Sequence, residues 1–366
     1  MSKILLLCAE SNTVRTFRVP LIKTLIGKGY DVGVCAFDEK EREFIEGFGV
    51  DFFCNSSTNR TTNPLKLFRL QKDYIKIIKA YKPDIVLTFI LKPNTFGVLA
   101  SHKAGVKNIF SMVEGAGDVF IKTGLKWKFI RKVVCHLYKK AFRYSKKVFF
   151  LNNDDKAEFV NRKLVKESQC EVIHGIGVDL EHFAEKPIKN HNTFLMIARM
   201  LETKGVYEYC KCARLVKKTH PEAVFNYLGA EGTVKLADIQ EYIDDGSINY
   251  LGTTADVRPY IENALLLLLL SSYREGMPMS IMEAEAVGRG IITSDGIGCK
   301  DTVIEGYNGF ICPRGDYKKM AEKVIWCLEH PEEAELLGKN ARRFAEDHFD
   351  SIKITEKVIE VVEEEL

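Results

Sequence analysis

Short apolar runs, broken by stretches of helical period, recur along the whole chain. Runs suited to buried strands occur at Lys3–Cys8, Asp31–Ala36, Phe52-Phe53, Asp84–Phe89, Asn108–Ser111 and Lys147–Leu151. A second set follows at Phe194–Ala198, Val224–Gly229, Ile248–Thr253, Ala264–Leu270 and Ile291–Ser294. Helical patterns lie between most of them, including 206–218, 317–330 and 331–345, and Pro20 stands at a favoured early helix position. Strand–helix alternation of this kind predicts an α/β protein with a doubly wound parallel sheet in each half. The run Ala264–Leu270 is suited to a strand buried on both faces and is too short to cross a membrane. Met1–Cys8 is likewise too short for a signal peptide and reads as a first strand.

The polar stretch Glu185–Asn192 reads as a linker. It predicts an N-terminal domain over 1–183, a second over 193–345, and a terminal amphipathic acidic helix within 346–366. Charge supports the division. Residues 1–190 hold 33 Lys+Arg against 20 Asp+Glu, net +13; residues 191–366 hold 20 against 30, net −10. The first half suits anionic partners and the second does not. Ten cysteines are scattered without zinc-type spacing, which fits a reducing cytoplasm.

The chemistry concentrates after the run Ala264–Leu270. Glu275 and Glu283, with seven residues between them, are expected in a strand-end loop and in the first turn of the following helix. That places both at the carboxyl edge of a parallel sheet, where open α/β sheets bind ligands. The same helix start suits a phosphate. Ser280-x-x-Glu283 also reads as a capping box, which needs no ligand. Arg199 and Lys204 follow the strand Phe194–Ala198, where two cations would neutralise a leaving anion; surface cations are the plainer reading.

In the first half no glycine occurs between 1 and 26, which argues against a nicotinamide dehydrogenase. The loop Ala9–Arg18 instead holds Arg15 and Arg18, either surface arginines or an anion clamp. Two later strand-end loops are 91–97, with Lys92 and Asn94, and 113–118, with Glu114, Gly115, Gly117 and Asp118. The glycines of the latter permit close approach of a ligand, or merely tight turns. Residues 122–147 contain ten Lys/Arg and no acid. Ile130, Val133, Val134, Leu137, Tyr138, Ala141 and Phe142 recur there at helical spacing. One face should pack on the sheet; the other suits an anionic bilayer, or is simply solvated. No zinc finger or RNP-type motif points to nucleic acid.

Glu275-Gly-Met-Pro278 with Glu283 and Gly288-x-Gly290 resembles the E-x7-E signature of family-4 retaining glycosyltransferases. The Arg199–Gly205 loop and Gly177-Val-Asp179 resemble the same family, nearly over the whole chain. The resemblance implies a GT-B fold, two Rossmann-like domains facing a cleft. It assigns Glu275 to the donor sugar, Glu283 to the nucleotide ribose, and Arg199 and Lys204 to the diphosphate. Gly276, Met277, Pro278, Met279 and Ser280 would line the donor, with Leu251 and Gly252 at the uracil. Thr16–Pro20, Asn94–Gly97 and Val113–Gly117 resemble a narrower group, bacterial α-1,3-N-acetylgalactosaminyltransferases that extend undecaprenyl-diphosphate-bacillosamine in protein N-glycosylation.

The activity so implied is metal-independent transfer from a UDP-sugar, with no cofactor, to a polyprenyl-diphosphate-linked glycan. It would occur at the inner face of the cell membrane. The acceptor would meet Arg15, Arg18, Lys92, Asn94, Glu114, Gly115, Gly117 and Asp118. No Asp-x-Asp metal motif occurs. The chain departs from the family where Ser271-Ser272 replaces a strand ending in Pro-Ser, where Gly288-Arg-Gly290 replaces Gly-x-Pro, and where Met277 stands for a common Phe. A UDP-sugar epimerase of the same architecture, or another hexosyltransferase of polysaccharide or lipopolysaccharide synthesis, is the alternative.

Overall fold

The computed structural model describes residues 1–55 and 63–366, apart from the side chains of Pro64 and Asp118. The chain forms two compact units, 1–176 with 351–366, and 177–350.

The first unit is built on seven parallel strands. They are β1 (Lys3–Leu7), β2 (Asp31–Ala36), β3 (Asp51–Cys54), β4 (Ile85–Phe89), β5 (Asn108–Val113), β6 (Lys147–Phe150) and β7 (Cys170–Val172). Their order is β3-β2-β1-β4-β5-β6-β7, so the winding reverses between β1 and β4. Period-2 alternation divides β1 between two cores. Ile4 and Leu6 pack with Leu21, Ile22 and Leu25, whereas Leu5 and Leu7 pack with Leu70, Tyr74 and Ile78. The terminal helix Ser351–Glu364 belongs to this unit and buries Val358, Ile359 and Val362 in the first of these cores. Acids at its end meet basic residues of this unit: Glu363 bonds Lys28 at 3.0 Å and Tyr30 at 3.1 Å, and Glu365, just past the helix, lies 3.5 Å from Lys147.

Sequence periodicity misses some detail here. The expected loop after β1 contains a helix, Ser11–Phe17, which leads into Val19–Gly27. Residues Pro93–Gly97 form a π-type turn, entered through Ile90 at φ 59° and continued by the helix Val98–Lys103. The basic segment is helical over Leu125–Ala141. Its buried face is set by Val134, Tyr138 and Ala141. Val133, expected to pack, lies about 100° round from Val134 and is exposed, as are Leu125 and Phe129.

The second unit holds β8 (Thr193–Ile197), β9 (Val224–Leu228), β10 (Asn249–Tyr250), β11 (Leu266–Leu269), β12 (Gly290–Ser294) and β13 (Gly309–Cys312), all parallel. The order β10-β9-β8-β11-β12-β13 reverses between β8 and β11. Every residue of β11 is buried, as expected of a central strand covered on both faces. Strand β13 escapes the hydrophobic pattern because it is short and ends against Pro313. The expected linker is anchored within this unit. Arg289, 0% exposed, donates to the carbonyls of Lys186 (2.7 Å) and Pro187 (3.3 Å). It also reaches the carbonyls of Ile261, Glu262, Val287 and Gly288.

Candidate active site

In the second unit the winding reversal places the loops after β8 and β11 side by side. Lys204 ends a single 3-10 turn in the first loop, and Glu275 sits in the second. The two side chains form an ion pair. The loops press closely. A Cβ on Gly205, whose φ is +81°, would lie 2.6 Å from the Leu270 carbonyl. The carbonyl of Thr203 accepts the N–H groups of Ser272 (2.8 Å) and Tyr273 (3.0 Å), stitching one loop to the other. On the far side Gly298, φ +79°, lets the loop after β12 lie against the Glu275 carbonyl, where a Cβ would come to 2.5 Å.

Arg199 is exposed in the loop after β8, and no carboxylate pairs with it among the described residues. Leu251 and Gly252 follow β10, with the Gly252 carbonyl accepting from Gly229 at 2.8 Å. Met277 is buried beside Val178 and Met282. The helix Met279–Ala286 is capped by Pro278, with no side-chain cap bond. Its first N–H groups, those of Met279 and Ser280, therefore lack intrahelical acceptors.

Two expectations are corrected here. Ser280 and Glu283 form no capping box, because the cap is Pro278 and Ser280 is already inside the helix. Glu283 is the fifth helical residue, at the start of the second turn rather than in the first. Its carboxyl has no hydrogen bond or ion pair among the described residues. Part of the side chain remains accessible, yet enough protein surrounds the carboxyl that burial pushes its pKa up to about 7. Glu285, two residues on, is an internal group: fully buried, it accepts from Asn308 at 2.6 Å, and burial pushes it well above the usual carboxylate range.

In the first unit the reversal between β1 and β4 gathers the other predicted residues differently. Arg18 is 4% exposed, pairs with Glu114, and lies 4.0 Å from the centroid of Phe89. Burial lowers its pKa to about 10. Arg15 pairs with Glu41 at 2.8 Å and stacks over Phe44. The anion clamp expected of these arginines is thus already engaged by acids of the chain itself. Asn94 is also corrected. It is fully buried, accepts from Thr88 at 2.7 Å and donates to the Met112 carbonyl at 2.7 Å, so no ligand reaches it. Lys92 is buried too, and burial lowers its pKa to about 8. Gly115 (φ 137°) and Gly117 (φ 70°) shape the loop after β5; the side chain of Asp118 lies outside the described residues.

Sequence reasoning missed Ser271 and Arg289. Both occupy positions already noted as departures from the family pattern. The signals were a hydroxyl in place of proline, and a cation between two glycines in an apolar run. No group of three potential metal ligands occurs among the described residues, nor any helix long and apolar enough to cross a membrane.

Comparison with known proteins shows the family of the chain and agrees with its fold. Residues 3–152 match the family model described as glycosyl transferase 4-like, and 178–344 match glycosyl transferases group 1. The chain is 30% identical to the N,N'-diacetylbacillosaminyl-diphospho-undecaprenol alpha-1,3-N-acetylgalactosaminyltransferase of Campylobacter jejuni, covering 92% of each chain. It is 26% identical to the Escherichia coli UDP-Gal:alpha-D-GlcNAc-diphosphoundecaprenol alpha-1,3-galactosyltransferase, over 77% of this chain and 76% of that one. Among solved structures, Anabaena HepE in complex with UDP is similar in fold, with a TM-score of 0.80 and 18% identity over the whole of both chains.

Proposed function

Because this chain belongs to the group 1 glycosyl transferases, and is a glycosyltransferase of GT-B fold, we propose that it moves N-acetylgalactosamine from UDP to an undecaprenyl-diphosphate-linked sugar. The acceptor would be a bacillosamine carried on undecaprenyl diphosphate, the substrate in the name of the Campylobacter relative, and protein N-glycosylation is proposed as the use of the product. The observation that carries the reading is the arrangement at the second reversal point. An exposed Arg199 and the Lys204–Glu275 pair stand on neighbouring strand-end loops of one sheet, and the carboxyl of Glu283, without a partner among the described residues, stands on the helix that follows the second loop.

In this reading Glu283 accepts hydrogen bonds from the ribose hydroxyls. Arg199, Lys204 and the N–H groups of Met279 and Ser280 hold the diphosphate. Glu275 and the backbone from Gly276 to Pro278 meet the sugar, and Leu251 and Gly252 the uracil. As the glycosidic bond breaks, negative charge gathers on UDP. Fixed cations and N–H donors stabilise it without the reorganisation that water would need. These groups take the part that a metal plays elsewhere, so transfer is proposed to be metal-independent, with retention at the anomeric carbon. The acceptor diphosphate would face Lys92 near the loop of Gly115 and Gly117.

The helix Leu125–Ala141 carries this reading to the membrane. Leu125 (85% exposed) and Phe129 (70%) stand four residues apart, beside exposed Lys126, Lys128 and Lys132. An apolar stripe flanked by cations fits the surface of an anionic bilayer, which would hold the enzyme peripherally at the cytoplasmic face. Replacing Leu125 and Phe129 with Glu should abolish sedimentation with anionic vesicles; unchanged sedimentation would sink the membrane role. The activity itself is tested by UDP release from a panel of UDP-sugars, with and without an undecaprenyl-diphosphate-bacillosamine acceptor. Release from UDP-GalNAc only with acceptor is expected. Isomerised donor without an acceptor would make the chain an epimerase instead.

A further inference from the structure

Ser271 lies just beyond β11 and is wholly buried. Its Oγ is 2.9 Å from Oε1 of Glu275 and 3.2 Å from the carbonyl oxygen of Thr203. A hydroxyl has one proton, so it serves one of these acceptors at a time. The Thr203 carbonyl already accepts two backbone N–H groups, from Ser272 at 2.8 Å and Tyr273 at 3.0 Å, which matches the capacity of a carbonyl oxygen. Glu275 offers the shorter contact and a charged acceptor, for which hydrogen bonds are stronger. The proton therefore belongs on Glu275. The Tyr273 N–H is shared between the Thr203 carbonyl and this hydroxyl, 3.2 Å from Oγ, which helps to orient it. The Ser271 carbonyl is fixed in turn by the hydroxyl of Ser294 at 2.5 Å.

We infer that Ser271 is a positioning residue for the donor, holding the Glu275 carboxylate in place when Lys204 turns its charge to the diphosphate. In the structure Oε1 of Glu275 receives both Lys204 and Ser271. A cation shared with an arriving diphosphate loosens its grip on the acid. A neutral donor from a buried, pinned backbone keeps its grip, since nothing on the diphosphate competes for it.

The inference rests on the reading of Glu275 as a donor contact, and three variants of the full chain separate the two. Glu275→Ala tests the reading. If it transfers sugar at the wild-type rate, that reading fails and this inference with it. Given an inactive Glu275→Ala, Ser271→Ala should lower kcat roughly tenfold, with KM for the UDP-sugar within about twofold and an unchanged melting temperature. A purely structural serine would lower the melting temperature and leave kcat per folded molecule intact, which would overturn the inference. Ser271→Cys, close in size and a weaker donor, should fall between, and it carries the test alone if Ser271→Ala does not fold. A thiol variant with wild-type kcat would overturn the inference equally.

Discussion

The two sheets reverse their winding in the same way, yet they treat the charges gathered there oppositely. At the first reversal Arg18 is closed onto Glu114, Arg15 onto Glu41, and Asn94 onto Thr88 and Met112. At the second, Arg199 is open to solvent and Glu283 has no partner among the described residues, while Lys204 and the buried Glu275 hold one another. Topology alone therefore does not make a site. The winding reversal is common to both units, but in the second Arg199 and Glu283 have no partner among the described residues. In the first Arg18, Arg15 and Asn94 are all engaged within the unit.

The contrast is broken most directly at Lys204 and Glu275. Lys204→Ala should reduce kcat/KM for the UDP-sugar roughly 100- to 1000-fold, measured by UDP release, because a donor aimed at developing charge is lost. A fall below tenfold would mean the open charges are ornamental. At the first reversal the corresponding change acts on folding. Arg18→Ala strands Glu114 and should cost about 3 kcal/mol in urea unfolding, with the double variant Arg18→Met, Glu114→Leu recovering part of it. Loss of activity at unchanged stability would instead make Arg18 a ligand contact.

Glu283 sharpens the comparison through pH. Its carboxyl is raised from 4.5 to about 7 in the folded chain, so between those values the folded state binds the extra proton. The stability associated with that proton is fully present below 4.5 and is lost as pH rises through 7. Glu283→Gln should therefore stabilise the protein by on the order of 2 kcal/mol at pH 8 and hardly at pH 4. The same change should weaken UDP binding, followed by calorimetry. A uniform stability loss of about 1 kcal/mol would restore the capping role that the helix geometry removes. The smallest effect is expected at Lys92. Its charge is lost as pH rises through about 8, so KM for the acceptor should climb roughly threefold from pH 7 to 9. Lys92→Arg should flatten the rise.

Much of this was legible in the chain. The alternation of apolar runs with helical stretches gives the α/β class, and the spacing of Glu275 and Glu283 after a run of leucines points to the candidate site. What was not legible has physical causes. Ion pairs between distant segments, such as Arg18 with Glu114, leave no local pattern, so a charged loop reads the same whether its charges are engaged or available. The cap of the helix Met279–Ala286 was misread because Ser280-x-x-Glu283 satisfies the capping pattern one turn too late, while Pro278 does the capping. Ser271 has meaning only once Thr203 is seen to be saturated.

Arg289 has a practical corollary for anyone dividing the molecule. Two of its six carbonyl acceptors come from Lys186 and Pro187, inside the stretch whose polarity invites a cut. A fragment begun at residue 193 would keep every strand of the second sheet and still leave a guanidinium sealed in the interior short of its acceptors. Excision ahead of Gly177 retains them all, and only that fragment should melt in a single sharp transition.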